Sequence, residues 1–94
     1  MTNSRRRPGD WMQLPIDDRI LEVLGSSELI LSPTIIAENI DKSREEVNRR
    51  LSKLSQHGFI VRVRRGRYQI SAKGRDYLSG DLDAGKTSEN REDE

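Results

Sequence analysis

The stretch from Ser43 to Arg64 constrains the fold more than any other part of the chain. Ser43-Arg44-Glu45-Glu46 has the spacing of a capping box, in which a hydroxyl and a carboxylate three residues apart satisfy each other's orphan amides at a helix start. Gly58 supplies the stop, so the spacing predicts a helix over about residues 44 to 57. On it Val47, Leu51 and Leu54 fall within one narrow arc and form the core face. After Gly58 the period changes to alternation: Phe59, Val61 and Val63 point one way, Ile60, Arg62 and Arg64 the other, as in a strand. Both elements must pack on a single core, because 94 residues at 32% hydrophobic leave room for only one domain.

The flanking segments supply the rest of that core. Pro15-Ile16-Asp17-Asp18 opens a first helix with acids in its first turn and Ile16, Ile20, Val23 and Leu24 at helical spacing, and Gly25 is expected to end it. Ser32 followed by Pro33 reads as an N-cap with proline at the first helical position, and Ile35, Ile36 and Ile40 form the apolar stripe of a short second helix. Asn39 to Lys42 is the turn before Ser43. If Arg65-Gly66 is a two-residue hairpin turn, Val63 pairs with Tyr68 and Val61 with Ile70 on one face, while Arg64 lies opposite Arg67. Leu29-Ile30-Leu31 is expected as a short strand beside this hairpin. Ser71 caps a last helix over about residues 72 to 80, in which Tyr77 and Leu78 return to the core before Gly80. The predicted fold is α+β, mainly α: a winged helix-turn-helix with a three-helix core, a two-stranded basic wing and a C-terminal helix.

Residues 1 to 10 read as a flexible basic arm, 11 to 80 as the winged helix-turn-helix domain, and 81 to 94 as a disordered acidic tail. No apolar run exceeds three residues, as in Leu29-Ile30-Leu31, far short of a membrane span or a signal-peptide core, so a soluble, cytoplasmic protein is expected. The chain has no cysteine, which excludes disulfides, thiolate metal sites and a cysteine nucleophile. His57 is the only histidine and reads as a helix C-terminal residue beside its glycine terminator. Asp17-Asp18 and Glu45-Glu46 are adjacent pairs that split around their helices and act as helix-dipole partners. No glycine-rich phosphate loop is present. The expectation is therefore no enzyme, no cofactor, no metal and no small-molecule substrate.

Charge points to a polyanionic partner. From Lys42 to Arg75 eleven Lys or Arg residues face only two acids, Glu45 and Glu46, while the segment from Asp81 onward carries six acids against two cations and masks this in the total of +1. The polar face of the third helix carries Glu45, Arg49, Ser52, Lys53 and Gln56, with Arg44 and Asn48 on its flank. Such side chains hydrogen-bond phosphates and base edges, Arg to guanine and Asn or Gln to adenine. The residues expected at DNA are Ser43, Arg44, Glu45, Asn48, Arg49 and Lys53 on the helix, and Arg62, Arg64, Arg65 and Arg67 on the wing.

Trp11-Met12, Asp17-Asp18-Arg19-Ile20-Leu21, Ile36-Ala37-Glu38-Asn39-Ile40, Arg49-Arg50-Leu51, His57-Gly58-Phe59-Ile60, Arg65-Gly66-Arg67-Tyr68-Gln69-Ile70 and Lys73-Gly74-Arg75 occur in an order and spacing that also resemble a known family. Over about residues 11 to 83 the chain resembles the winged-helix repressor-like proteins of haloarchaea related to the phage phi-H repressor, within the broader MarR-type group. The resemblance implies a DNA-binding transcription regulator, often dimeric, with Ser43 to Lys53 as reading helix and Arg62 to Arg67 as wing. It also implies a cytoplasm at molar salt, where phosphate attraction weakens and binding leans on base contacts and groove shape.

The expected function is a sequence-specific regulator of double-stranded DNA, acting as a repressor and a homodimer. The alternative is a winged-helix protein-interaction module, which calls for an exposed apolar patch on the third helix or wing. Trp11 has two readings: a ring at a dimer interface, or a cover for the domain's own core.

Overall fold

A computed structural model describes residues 6–86 of the chain. Its elements are α1 (Ile16–Ser27), α2 (Pro33–Ile40), α3 (Arg44–Gln56), β1 (Ile60–Arg64), β2 (Arg67–Ile70) and α4 (Ala72–Ser79), followed by a short 3-10 turn, Ala84–Lys86. The three-helix core, two-stranded antiparallel wing and C-terminal helix are those expected of an α+β winged helix-turn-helix.

Three serine caps set the helix starts. Ser32, Ser43 and Ser71 each accept a hydrogen bond from the backbone N–H three residues on, of Ile35, Glu46 and Gly74 respectively. One core joins the helices to the wing: Ile20, Leu21 and Leu24 from α1, Ile36 and Ile40 from α2, Val47, Leu51 and Leu54 from α3, then Phe59, Ile60, Ile70 and Tyr77.

Helix α1 runs through Gly25 to Ser27, and Glu28 ends it in the left-handed region at φ 54°. Gly25 was expected to stop it. One glycine costs a helix only about 1 kcal/mol relative to alanine, and here its bare backbone admits neighbours: a Cβ would lie 3.2 Å from Leu78 Cδ1 and 3.3 Å from Ile70 Cδ1. On α2 the inward residues are Ile36, Ala37 and Ile40, whereas Ile35, assigned to the apolar stripe from sequence, is exposed.

The wing register also departs from expectation. Arg64 does lie opposite Arg67, but Ile60 pairs with Ile70, Val61 with Gln69 and Arg62 with Tyr68, with an irregularity between Arg62 and Arg64. The expected pairs Val63–Tyr68 and Val61–Ile70 do not form. Two anchors explain the difference: the tight turn fixes Arg64 on Arg67, and burial fixes Ile60 on Ile70, both nearly inaccessible at 2% and 5%. One strand spans one residue more than the other between these anchors, so Val63 bulges out. Val61 and Val63 therefore face solvent, 48% and 41% exposed. Leu31 bridges the other edge of β2, exchanging two 2.9 Å backbone hydrogen bonds with Tyr68, so the strand expected over Leu29-Ile30-Leu31 is reduced to this single bridge.

The sequence placed residues 6 to 10 in a flexible arm and residues 81 to 86 in a disordered tail, but both segments are docked on the domain. Arg7 pairs with Asp83 in a parallel bridge, Gly9 passes close to Gly85, and the Trp11 indole N–H donates to the Ala84 carbonyl at 3.0 Å. Arg6 donates to the Leu78 carbonyl and to Glu22. Ala84 is buried and Leu82 half-buried against the core, so the second segment contributes apolar contact as well. Arg5 and the remainder of the arm and tail lie outside the described residues.

Candidate nucleic-acid interface

The face of α3 turned away from the core carries Arg44, Glu45, Asn48, Arg49, Ser52 and Gln56, all exposed, with Lys53 half-buried at its edge. Ser43 is exposed at the start, its hydroxyl oxygen accepting from Glu46 N at 3.1 Å. The wing adds Arg62, Arg64, Arg65 and Arg67, all exposed. Arg64 and Arg67 are paired across the strands with Arg65 at the tip, so three like charges cluster at the end of the wing, an arrangement that a polyanion relieves.

The hinge between α3 and the wing is firmly built. Gly58 takes φ +82° to turn the chain, and the Phe59 N–H returns to the Leu54 carbonyl at 2.9 Å. The Ser71 hydroxyl donates to the Gly58 carbonyl at 2.6 Å, and Lys73 Nζ donates to the His57 carbonyl at 3.2 Å, placing a cation at the negative end of the α3 dipole. His57 is the buried C-cap, in keeping with the sequence reading, and lies under the Trp11 ring. Helix α3 and the wing are thus two supports for charge joined by a short, hydrogen-bonded corner.

Arg50 is the residue that sequence reasoning missed. It was counted with the polycation, yet its side chain is only 12% exposed and grips the fully buried Asp17 through Nε to Oδ1 and NH2 to Oδ2, both at 2.9 Å. Its NH2 also donates to the Trp11 carbonyl at 3.1 Å. The hydrogen bonds to Asp17 hold the guanidinium more basic than usual, outweighing desolvation. The signal was legible: Arg50 stands three residues after Val47 and four before Leu54, which is core-face spacing. Asp17 is accordingly more than a dipole partner of α1, and Asp18 accepts the Tyr77 hydroxyl at 2.6 Å.

Between α2 and the start of α3 an open depression of about 540 Å³ is lined by Thr34, Ala37, Glu38, Asp41, Lys42 and Arg44. Among the described residues no group of three His, Asp or Glu side chains could hold a metal ion, and no helix is long and apolar enough to cross a membrane.

The family model for the winged helix-turn-helix phage repressor matches residues 5–91. The chain belongs to that family. The repressor is also similar to a solved relative, described as the PhiH1 repressor-like protein from Haloarcula marismortui, at 36% identity and a TM-score of 0.80 over 89% of this chain and 96% of that one. Both findings bear out the resemblance to haloarchaeal phi-H repressor-like proteins. Among curated proteins no sequence matches the repressor. It is a winged-helix DNA-binding transcriptional repressor.

Proposed function

We propose that the protein represses transcription by binding a specific two-fold site on double-stranded DNA as a homodimer in the cytoplasm, with α3 in the major groove and the wing on the flanking backbone or minor groove. The observation that carries this reading is the exposed polar and basic face of α3, continued directly by four exposed wing arginines. Arg44, Asn48 and Arg49 supply base-edge contacts, Glu45 suits a cytosine amine, and Ser43 and Lys53 suit backbone oxygens. Arg62, Arg64, Arg65 and Arg67 neutralise phosphates and so add affinity without sequence preference.

The dimer follows from the number of contacts one helix can make. A single α3 offers too few base contacts for useful specificity, and two-fold pairing doubles them. The domain measures 34 × 31 × 22 Å, so two copies side by side suit half-sites one helical turn, roughly 34–36 Å, apart. Trp11 is packed within its own domain and does not supply the dimer surface in this reading.

A protein-interaction role is the second reading, and the exposure of Val61 and Val63 on the wing favours it. The two are separated by binding the protein to a random duplex library at several salt concentrations and sequencing what is retained. A two-fold motif is the expected result. Retention without a motif, lost as salt rises, reduces the function to non-specific binding, and no retention at any salt moves the protein-interaction reading to first place.

A further inference from the structure

The cation that α3 turns inward sits beside the arginine it turns outward. Arg49 is exposed, while Arg50 is bound in a planar two-bond fork to a carboxylate that itself has no solvent contact. Asp17 Oδ2, which takes the Arg50 NH2, also accepts the Gln13 N–H at 3.0 Å, and the Arg50 NH2 reaches on to the Trp11 carbonyl. Trp11 in turn stacks on His57, the C-cap of α3. The reading helix is thus held at its middle and at its end by one N-terminal segment.

The other side chains on the core face of α3 are of another kind. Val47, Leu51 and Leu54 pack by non-directional apolar contact, which tolerates a small roll of the helix. A bidentate Arg–carboxylate fork constrains orientation as well as distance. Rolling a helix by about 10° moves the tip of a long side chain by more than about 1 Å, outside the tolerance of a positioned polar contact.

We propose that Arg50 is a positioning residue for sequence readout: clamped by Asp17 and the Trp11 carbonyl, it sets the rotation of α3 and thereby directs Asn48 and Arg49 at the base edges. This rests on the reading of α3 as the recognition helix. Lysine at this position keeps the charge beside Asp17 and loses the fork, so Arg50→Lys separates orientation from charge compensation.

The test compares wild type and Arg50→Lys on a library-selected duplex and on a scrambled duplex of equal length. Binding is followed through a salt series at a temperature where circular dichroism shows both proteins folded. The preference for the selected duplex should fall about tenfold or more, the scale of a lost bidentate base contact, while affinity for the scrambled duplex stays unchanged because Arg50 touches no phosphate. An equal loss of affinity on the selected and the scrambled duplex would make Arg50 a backbone contact that carries no sequence information. An unchanged preference in folded Arg50→Lys would leave it a stability residue only. Either result overturns the proposal. Should Arg50→Lys not fold, Asp17→Asn is measured in the same way and read by the same criteria. Arg49→Ala serves as control: if it too leaves the preference intact, α3 is not the reading helix and the underlying reading fails. If only Arg49→Ala loses the preference, the positioning role alone fails.

Discussion

Trp11 lies flat on His57, with ring centroids 3.6 Å apart and planes within 5° of parallel, and meets the edge of Phe59 at 5.4 Å. The stack closes the end of α3 and ties both terminal segments to it, since the indole N–H is held by the Ala84 carbonyl. Trp11→Ala removes the ring, the stack and that hydrogen bond together. It should cost about 2–4 kcal/mol of stability in urea unfolding. The oligomeric state by sedimentation should not change, because the ring covers its own domain.

Alkaline stability should depend on Tyr77. Burial pushes its hydroxyl above the usual tyrosine range, and donation to the Asp18 carboxylate pushes it further. A group whose folded pKa is raised contributes stability that is complete below its unfolded value, about 10, and is lost as pH rises through the folded one. The protein should therefore lose stability above about pH 10, and Tyr77→Phe, although less stable at neutral pH, should lose less of its stability there. Thermal melts from pH 8 to 11 check this, and equal slopes for the two proteins would contradict it.

Two glycines should respond differently to the same change. A Cβ on Gly74 would sit 2.3 Å from the Phe59 carbonyl oxygen and 2.8 Å from Ile70 Cγ1, where α4 crosses the start of β1. Gly74→Ala should cost about 2–3 kcal/mol or more through displaced backbone. Gly66, at φ +72° in the wing turn, has nothing within 4 Å, so Gly66→Ala should cost only about 1 kcal/mol of backbone strain. Denaturant midpoints of the two variants measure the difference.

The wing should act on affinity and not on sequence. Arg65 is exposed at the tip, beside the Arg64–Arg67 pair. Arg65→Ala should weaken specific and scrambled duplexes alike and lower the salt slope by about one. Relief of the three-way repulsion should leave the free protein no less stable.

The helices were legible in the sequence because their ends are marked. Ser32, Ser43 and Ser71 announce the starts of α2, α3 and α4, and Gly58 and Gly80 the ends of α3 and α4, through capping that needs no tertiary partner. Besides the exposure of Ile35, four features were not read correctly, each set by a tertiary contact. The passage of α1 through Gly25 depends on Leu78 and Ile70, and the wing bulge on the competition between its turn and the buried Ile60–Ile70 pair. The docking of residues 6–10 depends on Asp83, Ala84 and Leu78, more than seventy positions away. The division of labour between Arg49 and Arg50 depends on Asp17, although helical spacing already placed Arg50 on the core side. The exposed faces assigned to DNA, by contrast, follow from the same periodicity that buries Val47, Leu51 and Leu54.

The central claim is that the outer face of α3 reads sequence, and duplex selection carried out in parallel with wild type and Arg49→Ala tests it most directly. Wild type should enrich a two-fold motif with half-sites one helical turn apart. Arg49→Ala should enrich the same motif with one position relaxed in each half-site and an affinity lower by roughly 5- to 150-fold, the scale of about 1–3 kcal/mol. An identical motif at unchanged affinity would contradict the account, since a residue so placed on a reading helix cannot be neutral.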